Sequence, residues 1–170
     1  MSAPQTIDIL DYSPALLPDF VAINEAWVRE LFVLERTDIE VLENAEAMII
    51  ERDGRIFFAR HRDRGIVGTC ALLKRADNCF ELTKMGVRAS ARGLGAGERL
   101  LEHALDVAEA LPIDNLFLLT NSACRAAIHL YRKHGFRDDA DIMREHGHLY
   151  SRCDVAMRYG GRPSRRPRMA

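Results

Sequence analysis

The sequence predicts a single mixed α/β domain in which an antiparallel meander continues into a strand-helix-strand crossover, with helices on both faces of the sheet. Three observations carry this. Turn dipeptides at Asp53-Gly54, Arg64-Gly65 and Asp77-Asn78 set off three strand-like runs. A glycine-rich segment, Arg92 to Gly97, leads directly into a helical apolar repeat that stops at Pro112. Beyond it a short apolar run, Asn115 to Leu119, precedes another helical pattern.

The elements follow in order. Thr6 to Leu10 reads as a strand, closed by Ser13, Pro14 and Pro18. Phe20, Ile23, Trp27, Leu31 and Leu34 recur at steps of three and four, the spacing of one helix face. Asp38 is expected to cap a second short helix carrying Ile39, Val41 and Leu42. The meander strands are Arg55 to Arg60, Ile66 to Lys74 and Cys79 to Val87. Leu100, Leu101, Ala104, Leu105, Ala108 and Leu111 form the buried face of the next helix. Asn115 to Leu119 is short enough for a buried strand, and Ser122 to His134 is a helix stopped by Gly135. The last apolar run, His148 to Tyr159, reads as the final strand.

Length and composition narrow the function classes. The chain has 170 residues, 48% hydrophobic and 29% charged, the size of one compact domain and too apolar for a disordered chain. A net charge of -1 lacks the basic footprint of a nucleic-acid binder. Residues 160–170 carry Arg162, Arg165, Arg166 and Arg168 without an acid, so we expect a domain over residues 1–159 and a flexible Arg/Pro-rich tail over 160–170. Cys70, Cys79, Cys124 and Cys153 form no C-x-x-C pair, which points to a reduced, cytoplasmic setting. The start has no signal-peptide pattern, and no apolar run approaches the roughly 20 residues that span a bilayer, so no membrane partner is expected.

The segment Val87 to Gly97 carries the chemistry. Glycine costs entropy in an ordered element, so Gly93, Gly95 and Gly97 at a helix start imply positive φ or close approach of a ligand to the backbone. Free N–H groups and the positive end of the helix dipole make that start a phosphate site, and Arg92 adds a fixed bidentate cation. A P-loop is excluded because Glu98 stands where its lysine would follow Gly97. The dinucleotide fingerprint fits poorly, because the glycines alternate and begin six residues beyond Val87.

Arg92-Gly93-Leu94-Gly95-Ala96-Gly97 running into Glu98-Arg99-Leu100-Leu101 closely resembles the acetyl-CoA signature of the Gcn5-related N-acetyltransferase (GNAT) superfamily. A second signature follows as Ala127-Ile128-His129-Leu130-Tyr131-Arg132-Lys133-His134-Gly135-Phe136. The resemblance spans roughly residues 6 to 159. It implies that Arg92, Gly93, Leu94, Gly95, Ala96 and Gly97 hold the pyrophosphate of acetyl-CoA, the co-substrate. It also implies that the backbone of Met85, Gly86 and Val87 pairs with the pantetheine arm on a bulged strand that splays from Leu116 to Leu119. An N–H near Met85 would polarise the acetyl carbonyl. Tyr131 is implied as the general acid and as a cofactor contact. Glu81 is the candidate base, with pairing to Arg75 as its alternative, and Glu35 is a second candidate. Cys124 stands where relatives carry an asparagine that contacts CoA.

The reading is an N-acetyltransferase that moves acetyl directly to a primary amine of a small molecule or peptide, bound against Trp27 to Glu35 and the last strands. The alternative is a catalytically silent module that binds acyl-CoA for sensing or partner recruitment. Covalent catalysis by Cys124 is disfavoured without a histidine partner. No metal is expected, because His103, His129, His134, His146 and His148 do not offer a convergent ligand set. Pairing through an exposed strand leaves a homodimer open.

Overall fold

A computed structural model describes residues 6–161. Seven strands form one sheet in the order β1-β2-β3-β4-β5-β7-β6. They are β1 (Ile7–Asp11), β2 (Arg55–His61), β3 (Gly65–Ala76), β4 (Cys79–Val87), β5 (Asn115–Thr120), β6 (Phe136–Asp138) and β7 (Val155–Tyr159). All neighbours are antiparallel except β4 and β5, whose parallel pairing marks the crossover. That crossover runs through α4 (Ala96–Ala110). The remaining helices are α1 (Leu17–Leu31), α2 (Arg36–Glu43), α3 (Ala45–Met48), α5 (Arg125–Lys133) and α6 (Ala140–His146). Among the described residues no helix is long and apolar enough to cross a membrane.

Strand periodicity divides the core between the two faces. Phe57, Ala59, Leu72, Phe80 and Leu82 pack with Leu100, Leu101, Ala104 and Leu105 of α4. Their neighbours Ile56, Phe58, Ala71 and Leu73 pack on the other face with Phe20 of α1 and with Val41 and Leu42 of α2. A third cluster, Phe117, Ile142 and Ala156, seats α6.

Four expectations need correction. The first helix ends at Leu31, which is 56% exposed, so Leu31 and Leu34 do not extend its buried face. Asp38 is not the cap of α2. Glu35 holds that position, and its backbone N–H donates to the Asp38 carboxylate at 2.9 Å. Helix α5 begins at Arg125 rather than Ser122, because the Ser122 N–H and hydroxyl are spent on Asp154. The final strand is only Val155–Tyr159, because Gly147–Leu149 is a 3-10 turn and the N–H groups of Ser151 and Arg152 bond to Glu35 instead of a strand ladder. The sequence reading also passed over β6 and α6. Asp139 is the missed signal for α6, accepting from the Asp141 and Ile142 N–H groups as its N-cap. Of the expected tail, residues 162–170 lie outside the described residues.

Candidate active site

The site begins with an irregularity in β4. Thr83 pairs with Ala71 and Gly86 with Thr69, so Lys84 and Met85 together face the single residue Cys70. This is a β-bulge, and Lys84 takes φ +52° within it. The extra residue reverses the side-chain parity of the strand. Phe80 and Leu82 face α4 before the bulge, and Met85 and Val87 pack toward that same core after it. The Lys84 side chain is thereby turned to the α1–α2 face, where its Nζ donates to Asp38 Oδ1 at 3.1 Å.

Polar bonds hold the bulge in place. The Thr69 hydroxyl donates to the Lys84 carbonyl at 2.9 Å and accepts from Asn24 Nδ2 at 3.1 Å. Asn24 is fully buried and also accepts from Trp27 Nε1 at 2.9 Å. Trp27 lies so close to the strand that a Cβ on Gly86 would sit 2.3 Å from its ring. Only glycine permits that approach.

Beyond the bulge the sheet opens. β4 and β5 pair only from Cys79 to Glu81 against Asn115 to Phe117. The unpaired lengths diverge around a slot of about 560 Å³, part of it open to solvent. Tyr131 and Cys124 line it from the α4–α5 side, and Trp27, Phe32, Tyr150 and Arg152 from the other. Among the described residues no Asp or Glu lines it. The Tyr131 hydroxyl reaches Met85 Sδ at 3.7 Å, and burial raises its pKa, so the phenol stays protonated at neutral pH.

At the far end of β4 the chain reaches the start of α4. Gly93 and Gly95 have φ of +81° and +83°, and a Cβ on either would meet nothing within 4 Å. Left-handed backbone with open space above it leaves the first N–H groups of α4 facing outward, the arrangement that an anion needs. Arg92, beside it, forms a bidentate pair with Glu30 of α1, with Nη1 donating to Oε1 at 2.8 Å and Nη2 to Oε2.

Bulge, splayed strands, glycine-started helix and slot tyrosine thus form one connected feature, and the model of the acetyltransferase (GNAT) family matches residues 20–136, more than half of the chain. The chain belongs to the GNAT family. A curated relative, an IAA acetyltransferase of Azospirillum brasilense, is 36% identical over 83 residues, 48% of this chain and 54% of that protein. The chain thus matches about half the length of that relative. A GNAT-family acetyltransferase from Staphylococcus aureus superposes with a TM-score of 0.77 at 23% identity, covering 90% of this chain and 98% of the other. An N-acetylglutamate synthase from Neisseria gonorrhoeae, solved with coenzyme A and N-acetyl-glutamate, gives 0.69 at 22% identity, covering 93% of this chain and 36% of that one.

Within this GNAT fold the expected residues divide. Met85, Cys124 and Tyr131 line one slot. Gly86 and Val87 continue its β4 wall, and the Arg92 to Gly97 loop follows. Glu81 is 1% exposed and held by Arg75, whose Nε and Nη2 donate to Oε1 at 2.8 and 2.6 Å, so the pairing alternative is the one formed. Glu35 is committed as well. Burial would raise its pKa, but the Ser151 N–H, at 2.7 Å, and Arg152 outweigh that and hold it low. Asn121, the nearest asparagine to Cys124, is spent on the Arg152 carbonyl at 2.7 Å. One group among the described residues has metal-compatible spacing, Glu98, Glu102 and His134, with ligand atoms within 4.8 Å of one another. Its Glu98 already bonds Lys133 and His134.

The sequence reading missed Lys84, Asp38 and Arg152 as a unit. Arg152 donates to both Asp38 oxygens at 2.7 and 2.8 Å and to Glu35 at 3.2 Å. Its guanidinium lies 4.9 Å from the Tyr150 ring, 5.7 Å from Phe32 and 5.9 Å from Trp27. Burial opposes the charge on Asp38, but Arg152 and Lys84 outweigh it and bring its pKa to about 2. A lysine in the middle of a strand bounded by Leu82 and Met85 was the available signal.

Proposed function

We propose that this chain is an acetyl-CoA-dependent N-acetyltransferase that transfers acetyl directly to a primary amine of a small molecule or peptide. The observation that carries the reading is the β4 bulge at Lys84–Met85, which frees a strand edge opposite Tyr131 directly upstream of the glycine-started helix. The residues fit the co-substrate. The open, positive-φ backbone at Gly93 and Gly95 suits a pyrophosphate, with Leu94, Ala96 and Gly97 completing the turn and Arg92 exchanging Glu30 for phosphate oxygens. The unpaired β4 edge at Met85, Gly86 and Val87 suits an extended amide-bearing arm. When bound, acetyl-CoA supplies an activated thioester carbonyl.

The protein's own groups then act on that carbonyl. A β4 N–H near Met85 donates to the carbonyl oxygen as it gains negative charge. Tyr131, kept protonated by burial, gives its proton to the departing thiolate. Cys124, on the slot wall beside it, serves as packing for the arm rather than as a nucleophile. Glu81 stays bound to Arg75, so the amine proton passes to water rather than to that carboxylate. The acceptor enters from the side of Trp27, Phe32 and Tyr150. We assign the activity to a domain of residues 1–159, working in the cytoplasm without a metal or nucleic acid, with a homodimer left to sedimentation.

Calorimetric titration with acetyl-CoA, with NAD and ATP in parallel, tests the reading together with thiol release against an amine panel. Micromolar binding of acetyl-CoA alone, with thiol release, supports it. Binding without release against any amine favours the silent acyl-CoA-binding module, and no binding overturns both.

A further inference from the structure

The hydrogen-bond accounting on the acceptor side of the slot is lopsided. Asp38 accepts from Lys84 Nζ and Arg152 Nη2 on Oδ1, and from Arg152 Nη1 and the Glu35 N–H on Oδ2. That fills the roughly four sites that a carboxylate offers. Glu35 accepts from Ser151 on one oxygen and from the Arg152 backbone and guanidinium on the other. The donors are not exhausted in the same way. An ammonium has three N–H groups, and Lys84 spends one of them on the protein. A guanidinium has five, and neither Nε of Arg152 nor the second hydrogen on its Nη2 has a partner among the described residues. Tyr150 is buried and lines the slot, and although the Thr83 side chain lies beside its oxygen, the phenol proton has no acceptor among the described residues.

A buried polar group without a partner costs free energy, so its persistence at a slot wall points to a ligand atom that completes it. Here the unspent capacity is donor capacity, grouped on Lys84, Arg152 and Tyr150 around a network in which two cations balance two carboxylates. A group that accepts from several donors at once fits this wall, and a second ammonium does not.

We propose that the acceptor is an amino carboxylate, whose carboxylate is bound by Lys84, Arg152 and the Tyr150 hydroxyl while its amine is directed toward Met85 and Tyr131. The proposal rests on the assignment of the slot as the acyl-transfer site. Trp27 and Phe32, on the same side of the slot, cover the carbon skeleton of the acceptor. The desolvation of the Tyr150 phenol keeps it a donor at neutral pH.

The test compares matched acceptors that differ only in charge: a panel of free α- and ω-amino acids against their carboxamides and methyl esters, in a thiol-release assay with saturating acetyl-CoA. Free acids are expected to exceed their amides by about tenfold or more in kcat/KM, since charge-assisted bonds from Lys84 and Arg152 favour an ionised carboxylate over a neutral carbonyl. Tyr150→Phe keeps the ring and removes only the hydroxyl. It is expected to raise KM for the free acid by about tenfold, and for the amide by less, with the acetyl-CoA dissociation constant held. Amides or esters used as well as acids overturn the proposal, and so does a Tyr150→Phe enzyme with unchanged KM. Acetyl-CoA binding with release against neither set overturns it too. Absence of acetyl-CoA binding is a different result, because it removes the underlying assignment of the slot.

Discussion

Replacing Asp38 with asparagine keeps the side-chain volume and removes one charge from the centre of the Lys84–Asp38–Arg152 cluster. Lys84 and Arg152, whose side chains are 3% and 15% exposed, would lose their shared counter-ion, and the new amide nitrogen would face donors rather than acceptors. Removing one partner of a buried ion pair costs about 3–5 kcal/mol. At about 2–4 °C per kcal/mol for a domain of this size, the melting temperature should fall by about 6–20 °C. The pH dependence supplies an independent check. The pKa of Asp38 in the folded protein, about 2, lies below its ordinary 3.8, so its contribution is complete above that ordinary value and is lost as pH falls through about 2. The gap between wild type and Asp38→Asn should therefore be widest near neutrality and should narrow as pH drops from 4 toward 2. Thermal and urea unfolding followed by circular dichroism at several pH values measures both effects. Adding Lys84→Met should recover part of the loss, because an apolar side chain removes the stranded ammonium. A neutral-pH loss under about 1 kcal/mol, or a gap that does not change with pH, would refute the claim that this cluster is a tightly desolvated unit.

Three further outcomes follow from the site. Tyr131→Phe should lower kcat by about a hundredfold or more while leaving the acetyl-CoA dissociation constant nearly unchanged, and equal turnover removes Tyr131 as the proton donor. Gly86→Ala places a methyl 2.3 Å from the Trp27 ring, and the forced shift of α1 should cost about 1–3 kcal/mol by urea unfolding; no loss would mean that Trp27 moves freely. Glu30→Gln frees Arg92 from its carboxylate, so acetyl-CoA should bind about two- to fivefold more tightly at low salt and the gain should vanish at high salt. Calorimetry at two ionic strengths reads that effect, and weaker binding in the variant would show that Arg92 is not drawn from Glu30 to the ligand.

The meander, the crossover and the α4 start were legible because each rests on local physics. Turn dipeptides favour positive φ, Pro112 cannot continue a helix, and alternating glycines have no use inside one. Tyr131 was legible through the motif around it. The region from Phe136 to Asp154 was not, since β6 has three residues and α6 seven, too short for a periodic signal. Glu81 shows the limit at a single residue, because whether a strand carboxylate meets substrate or an arginine depends on the neighbouring strand, and Arg75 of β3 claims it.

Alone, the sequence determined the order of the longer elements through α5, the helices on both sheet faces and the glycine-rich start of α4, all encoded in residues close together along the chain. Tertiary structure alone decided the acceptor side of the slot. Lys84 turns toward Asp38 because one extra residue in β4 reverses strand parity, and Arg152 reaches Asp38 across 114 positions because Glu35 captures the N–H groups that would otherwise have extended β7. Partners so far apart are selected by burial, where an unpaired charge costs most, and no local pattern records that choice.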